Sequence, residues 1–361
     1  MNALDTTRAT AAPADRIDFG RRIRRWHAGG LWLRLDVRAA AVGLILVAVC
    51  IALGVAGLVS GEYPLTLTQV RDALFSGTTD FTRTVVVEWR MPRALAAIMF
   101  GAALGASGAV FQSLTRNPLA SPDIVGFSSG AYTGALIVII LLGGTYLEVA
   151  AGALVGGIAT AAVVYLLAFK RGVQGFRLII VGIAVSATLS SANTWLMLTA
   201  NLDTALLAAV WGAGSLNGMT WQQTGIGSAL IVILLVATVA LSRPLRQLEL
   251  GDDAARALGV RAEPARLTLM LLSIALIAVV TAAAGPISFV ALAAPQIARR
   301  LTGSPGVSIG GSALMGAALL SASDYIALHA LPVMLPVGTV TVVIGGGYLV
   351  WLLIHEARRR T

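Results

Sequence analysis

Residue types that carry chemistry are scarce in this chain, and lysine is the scarcest. The phosphate-binding loop of an ATPase needs Gly-Lys-Ser/Thr after a glycine-rich turn. The only lysine, Lys170, instead follows Phe169 and precedes Arg171. This polypeptide therefore cannot form that ATP site. If it drives a solute uphill, a partner protein hydrolyses the ATP.

Metal ligands, proton carriers and nucleophiles are equally rare. The candidate metal ligands are too dispersed in the sequence for a metal cage: Cys50, His27, His329 and His355. Ion relays place carboxylates in mid-membrane, but we expect Glu148 in a turn and Asp324 near the outer end of the ninth span. No catalytic triad or carboxylate pair stands out. The sequence predicts no enzyme, and no cofactor or metal bound by this chain.

Membrane helices must position the functional residues of this chain. Hydrophobic residues make up 57% of it and charged residues 12%, and about 20 apolar residues cross a bilayer. The long uncharged stretches are Ala39–Gly61, Ala94–Thr115, Ile124–Leu147, Val149–Phe169, Leu178–Leu202, Thr204–Leu245, Leu267–Ala298, Thr302–Ser323 and Tyr325–His355. The longest should break near Gly214, at Gly285-Pro286 and at Pro332 and Pro336. We therefore predict an all-α membrane protein with about ten crossings.

The basic residues predict an orientation with both termini inside. This orientation leaves only four of the 26 Arg and Lys residues outside, all in the first outward loop: Arg71, Arg83, Arg90 and Arg93. The net charge of +9 is then a topology signal and not a nucleic-acid surface. Residues 1–37 are predicted to be a flexible basic cytoplasmic tail, which could also lie on anionic lipid. Residues 38–361 would form the ten-helix domain.

Three stretches are too specific for generic membrane packing. The first joins Arg-Met-Pro-Arg at 90–93 to the Gly/Ala/Ser run at 101–108 and to Arg-Asn-Pro-Leu-Ala-Ser-Pro at 116–122; the others are 248–260 and 285–299. Together they resemble the iron-chelate (FecCD-type) permease family of ATP-binding-cassette importers, which includes the vitamin B12 permease. The resemblance runs from about Arg38 to the C-terminus.

The resemblance implies a complex with several partners. Two ten-helix subunits would pair across a central pathway, and a second, related permease is a better match for the pair than a second copy of this chain. Two cytoplasmic ATPases would bind ATP and Mg²⁺ beneath them, and an extracytoplasmic binding protein would deliver the chelate. Iron would pass only inside its chelate. The expected location is the cytoplasmic membrane of a bacterium.

The second stretch is similar to the helix that couples such permeases to their ATPases. Asp252 is predicted to cap a short helix, and Gly259 to end it in a left-handed turn. The coupling residues implied by the resemblance are Leu250, Gly251, Asp252, Ala254, Ala255, Arg256, Leu258 and Gly259. A solvated loop helix is the alternative.

The resemblance also implies docking and pathway residues. Arg90 and Arg93 would meet carboxylates on the binding protein, with anchoring to lipid phosphates as the alternative. The implied pathway and gate residues are Asn117, Leu119, Gly175, Phe176, Ser186, Ser190, Asn193 and Thr194. Asn193 could equally hydrogen-bond to a neighbouring helix. Some relatives have a third docking cation between Asp324 and Pro336, where His329 is the only polar candidate here.

One departure from the family pattern indicates which class of cargo the chain transports. The usual Gly-Leu-x-x-Pro-His reads Ala-Leu-Ala-Ala-Pro-Gln at 291–296, a variant similar to permeases for catecholate siderophores such as ferric enterobactin. We therefore expect uptake of a ferric siderophore. A cobalamin or haem permease is the alternative within the family. An ion-coupled secondary carrier and a non-transporting structural subunit are the alternatives outside it, although the missing intramembrane acids disfavour the carrier.

Overall fold

The computed structural model describes residues 23–28, 31–76, 80–168, 175–330 and 333–360. Two β-strands come first, followed by helices. The elements are β1 (Ile23–Ala28), β2 (Leu31–Asp36), α1 (Val37–Val59), α2 (Leu67–Phe75), α3 (Phe81–Thr115), α4 (Phe127–Leu142), α5 (Tyr146–Ala168), α6 (Gly175–Thr199), α7 (Leu202–Gly212), α8 (Trp221–Ala240), α9 (Ser242–Glu249), α10 (Asp252–Ala257), α11 (Ala262–Ala284), α12 (Val290–Thr302), α13 (Ile309–His329) and α14 (Val337–Arg360).

The membrane-sized helices confirm the predicted all-α class. Seven helices of the described chain are long and apolar enough to cross a membrane: α1, α3, α5, α6, α8, α11 and α13. The helices α4 and α14 carry shorter apolar segments, and α12 spans 13 residues. Counting these three reproduces the predicted ten approximately. The orientation of the termini stays a prediction.

Proline and glycine place the helix breaks where the sequence predicted them. The helix α11 ends at Ala284, just before Gly285-Pro286, and α12 begins at Val290. Between α7 and α8 the chain turns through Gly214 and Gly218, both with positive φ. Thr220 then caps α8 by accepting a hydrogen bond from the backbone N–H of Gln223. Glu148, predicted in a turn, lies in the first turn of α5.

The segment before α1 contains a hairpin that the sequence analysis did not predict. The strands β1 and β2 pair antiparallel, with Ile23 opposite Asp36 and Ala28 opposite Leu31. Leu31, Leu33 and Leu35 alternate with the period of a strand, and the sequence at 29–30 is Gly-Gly, which favours two-residue hairpin turns. Residues 1–22 of the predicted flexible tail lie outside the described residues.

The helix α3 is the centre of the protein, and small residues let its neighbours approach it closely. It packs against α8, α11, α12 and α13. A Cβ added at Gly101 would lie 2.4 Å from the Gly316 carbonyl oxygen, and one at Gly105 only 2.0 Å from that of Ser312. A matching contact joins α4 and α5, where a Cβ at Gly134 would lie 2.0 Å from the Gly152 oxygen. The small-residue spacing at Gly101/Gly105 and at Gly152/Gly156 is therefore used for helix packing.

Replacing Gly105 by alanine should destabilise the fold, because the new methyl group would push α13 away from α3. We expect a loss of about 1–3 kcal/mol, typical of overpacking, measured by thermal unfolding in detergent. The matched control is Gly225→Ala on α8, where an added Cβ meets nothing within 4 Å. Equal melting temperatures for the two variants would contradict the close approach.

Candidate functional site

An ion pair holds the outer end of the uncharged stretch of α3, as the predicted orientation defines it. The Arg93 guanidinium donates from Nη2 to Oδ1 of Asp324 at 2.8 Å and from Nε to Oδ2 at 3.0 Å. Its Nη1 donates to Oδ1 of Asn217 in the loop between α7 and α8. The side chains of Arg93 and Asp324 are only 15% and 9% exposed. One guanidinium thus ties α3, α13 and the loop before α8 together.

The second predicted docking arginine is also held within the protein. Arg90 donates to the carbonyl oxygens of Leu58 at 2.8 Å and of Tyr63 at 2.7 Å, and so satisfies one backbone acceptor at the end of α1 and one in the loop that follows. Neither Arg90 nor Arg93 presents a free guanidinium in this structure. Docking through these two residues remains a prediction, and it would require a partner carboxylate to compete with acceptors of this chain.

A pocket of about 860 Å³ opens beside the two arginines. It is lined by Glu62 and Glu88, which are exposed, and by an aromatic series. The rings of Tyr63 and Trp89 each meet Phe81 edge-on, at centroid distances of 5.6 and 5.9 Å. His329 lies outside this pocket's lining and stacks on Tyr325 at 4.3 Å. The outer face therefore combines exposed carboxylates and aromatic rings with arginines that are already bonded.

The inner face holds a second charged cluster, and it corrects the predicted role of Asp252. The N-cap of α10 is Gly251 and not Asp252. The Asp252 carboxylate instead accepts from Arg116 at 3.1 Å and from Arg266 on α11. The prediction of a cap was wrong because two guanidinium groups bind the carboxylate more strongly than one backbone N–H would. Gly259 has a φ of +84°, which confirms the predicted left-handed turn.

The short helix α10 presents apolar side chains at both of its ends. Leu250 just before it is 69% exposed and Leu258 just after it is 57% exposed, whereas Ala255 is fully buried. Arg256 is exposed and pairs with Asp253. Exposed leucines that flank a buried alanine form a surface suited to a hydrophobic groove on a partner.

Arg116 joins this helix to the inner end of α3. It ends α3 in a left-handed conformation with a φ of +51°, which is uncommon for a residue with a side chain. Besides Asp252, its guanidinium donates to the Leu248 carbonyl oxygen at 3.2 Å. Asn117 follows directly and accepts a hydrogen bond from the backbone N–H of Leu119. Asp252 is thus connected to the predicted gate residue Asn117 through Arg116, the residue before it.

Several predicted pathway residues line one groove of about 700 Å³. Its lining residues are Asn117, Leu119, Ser121, Asp123, Ser129, Ile179, Ile183, Ser186, Ser288, Phe289, Leu292 and Leu349. The Ser186 hydroxyl is buried and finds no hydrogen-bond partner among the described residues. The groove therefore offers hydroxyl and amide groups, some of them unused, along with apolar surface.

The remaining pathway predictions lie elsewhere. Asn193 is buried, accepts from the Thr133 hydroxyl at 2.7 Å and donates to the Ser129 carbonyl oxygen, so it forms the interhelical bonds that were its alternative role. Ser190 and Thr194 are exposed on α6 and do not line the groove. Gly175 and Phe176 begin α6, and the Phe176 side chain lies outside the described part of the chain.

Sequence analysis did not identify Phe289, which lies in the groove in a strained backbone conformation. Its φ is +69°, and a left-handed residue with a side chain costs about 1–3 kcal/mol. It is the residue before α12, and its Cβ would lie 2.3 Å from a Cβ added at Gly345 on α14. The close contact with Gly345 holds the phenyl ring beside the groove.

Asp123 is the second groove residue that the sequence analysis missed. It lies on a 3-10 turn, Pro122–Val125, between α3 and α4, and accepts a hydrogen bond from the Ser128 hydroxyl. Burial raises the pKa of its carboxyl to about 6, although the Ser128 hydroxyl opposes this shift. The search for charges within apolar stretches passed over it because it belongs to the connection after α3.

Comparisons with known proteins agree with this geometry. A family model described as the FecCD transport family matches residues 44–355. The chain is 50% identical over 318 residues to FepG, the ferric enterobactin transport system permease protein of Escherichia coli strain K12, covering 88% of this chain and 96% of FepG. It is 34% identical over 340 residues to CbrC, the achromobactin transport system permease protein of Dickeya dadantii strain 3937, covering 92% and 96% of the two chains.

A solved structure supports the same relationship. It is an ABC transporter assigned to the metal-chelate type, in an inward-facing conformation, and it matches this fold with a TM-score of 0.76 at 25% identity. The match covers 88% of this chain and 99% of that one. The fold and the sequence thus lead to the same group of proteins.

Removing Arg93 should destabilise the protein strongly, because Asp324 would remain buried without its cation. We expect Arg93→Gln to cost about 3–5 kcal/mol in thermal unfolding, and Arg93→Gln with Asp324→Asn to recover part of that loss. The control is Arg71→Gln, whose pair with Asp72 is largely exposed and worth about 0–1 kcal/mol. If Arg93→Gln were as stable as Arg71→Gln, the pair would not support this part of α3.

Proposed function

The chain belongs to the FecCD transport family, and from this premise we propose that it is a permease subunit of an ABC importer for ferric siderophores. The observation that carries this proposal is the 50% identity with a ferric enterobactin permease, extending over nearly the whole of both proteins. The chain is a multi-pass membrane protein and not an enzyme. Its task is to form a path for the chelate.

ATPase and binding-protein partners follow from membership in this group of importers. The helix α10 has the features needed to contact an ATPase, since Leu250 and Leu258 are exposed on the predicted cytoplasmic side. ATP and Mg²⁺ would be bound by the ATPases, and iron would be present only within the transported chelate. The binding protein would dock on the opposite face, near the pocket beside Arg90 and Arg93.

The second half of the pathway would come from another permease subunit. The exposed Ser190 and Thr194 lie on α6, which contributes Ile179, Ile183 and Ser186 to the groove. A related but different permease would complete the passage in a heterodimer, embedded in the cytoplasmic membrane of a bacterium. The groove's hydroxyl and amide groups suit a cargo rich in oxygen atoms, as ferric catecholates are.

Reconstitution in liposomes tests the function directly. The complete importer, with its ATPases, partner permease and binding protein, should take up ferric enterobactin only when ATP is supplied. Replacing ATP by a proton or sodium gradient should give no uptake, and uptake driven by such a gradient would contradict the proposal. ATP-driven uptake of cobalamin or haem, with none of ferric enterobactin, would contradict the proposed cargo.

A second prediction concerns how ATP hydrolysis reaches the gate. In Asp252→Asn the bonds to Arg116 and Arg266 weaken, so a smaller part of any movement of α10 should be transmitted to the inner end of α3. We expect transport per ATP hydrolysed to fall about five-fold, while the complex still assembles and hydrolyses ATP. The control is Asp253→Asn, which alters the fully exposed neighbouring carboxylate. Equal coupling in both variants would show that Asp252 does not connect α10 to the gate.

A further inference from the structure

Asp123 places a carboxyl group in the groove, and the proposed permease function assigns it no role. It is the one ionisable side chain among the described residues that line the groove. The other polar contributors are neutral hydroxyl and amide groups: Asn117, Ser121, Ser129, Ser186 and Ser288. An anionic cargo that enters this space would therefore meet a single carboxyl group.

No cation of the described chain neutralises this carboxyl. The turn that carries Asp123 contacts α3, α4, α6 and α11. The titratable and charged groups on these helices and at the end of α3 are Arg83, Glu88, Arg90, Arg93, Arg116, Tyr132, Arg177, Glu263 and Arg266. None forms an ion pair with Asp123. Arg93 binds Asp324, both Arg116 and Arg266 bind Asp252, and Arg177 donates to the Leu167 carbonyl oxygen.

The charge of the cargo determines which form of the carboxyl is favoured. A ferric tris-catecholate is negatively charged, because three doubly deprotonated catechols outweigh one Fe³⁺. A negative charge beside a carboxyl disfavours the carboxylate and raises its pKa further, above the value of about 6 that burial already produces. A protonated carboxyl then no longer repels the chelate, and it becomes a hydrogen-bond donor.

We propose that Asp123 binds one proton when an anionic ferric chelate enters the groove and donates that hydrogen to a ligand oxygen of the chelate. The proton comes from water and returns to water when the chelate leaves, so each cycle consumes none. Ser128 orients the carboxyl in both forms through its hydroxyl. This inference rests on the proposed function, because it requires the cargo to be an anionic chelate.

The pH dependence of uptake tests this role in the complete reconstituted importer. The protonated form is the one that accepts cargo, so wild-type uptake per ATP hydrolysed should fall roughly five-fold or more as the pH rises from about 6 to about 8.5. Asp123→Asn cannot ionise and keeps an acceptor for Ser128, so it should show a nearly flat profile at the high level. Asp72→Asn, which changes an exposed carboxylate on the outer face, should keep the wild-type profile. Identical profiles for wild type and Asp123→Asn would overturn the inference.

A direct proton measurement keeps the test decisive if Asp123→Asn does not fold. Addition of ferric enterobactin to the purified wild-type complex in weakly buffered solution should remove about one proton per bound chelate at a pH slightly above 7. No proton uptake on chelate binding would overturn the inference. Failure of ATP-driven ferric enterobactin uptake by the wild type would instead remove the proposed function itself, so the two failures are distinguishable.

Discussion

A carboxylate removed from water must find cations or hydrogen-bond donors, and this constraint fixes both ends of the uncharged stretch of the central helix α3, Ala94–Thr115. At one end Arg93 on α3 binds Asp324 and Asn217. At the other end Arg116 shares the Asp252 carboxylate with Arg266. Along the helix, Arg93 and Arg116 lie about 35 Å apart, because each residue adds a rise of about 1.5 Å. This distance is comparable to the thickness of a bilayer. The few charges of an apolar chain are thus used where helices leave the membrane.

Between these charged ends, close backbone contacts at glycines add to the packing of buried side chains. The close approaches of Gly101 and Gly105 to α13 and of Gly108 to α12 leave no room for a methyl group. Such contacts favour movement of α3 together with its neighbours as one body. A displacement that begins at α10 would then reach the groove through Arg116 and the turn that follows it, without bending the helix.

Local patterns predicted the helices, but they could not predict the partners of the charged groups. Gly285-Pro286 and the Gly259 turn follow from residue chemistry within a few positions, and the structure has both. Asp324 lies 231 residues from Arg93, and Asp252 lies 136 residues from Arg116, so no local pattern links them. Asp252 was therefore expected to cap a helix. The few Asp and Glu residues that border apolar segments were the available signal, since a carboxylate removed from water needs a partner.

The contact between Phe289 and Gly345 has an evolutionary consequence. Any side chain at position 345 would collide with the Cβ of Phe289, so one of the two backbones would have to shift. Position 345 is therefore not free to diversify alone. Among descendants of this gene, a bulkier residue at 345 should appear only where a glycine or another compensating replacement has arisen at 289. An enlarged side chain on this face of α14 would then arise in paired steps and not by a single substitution.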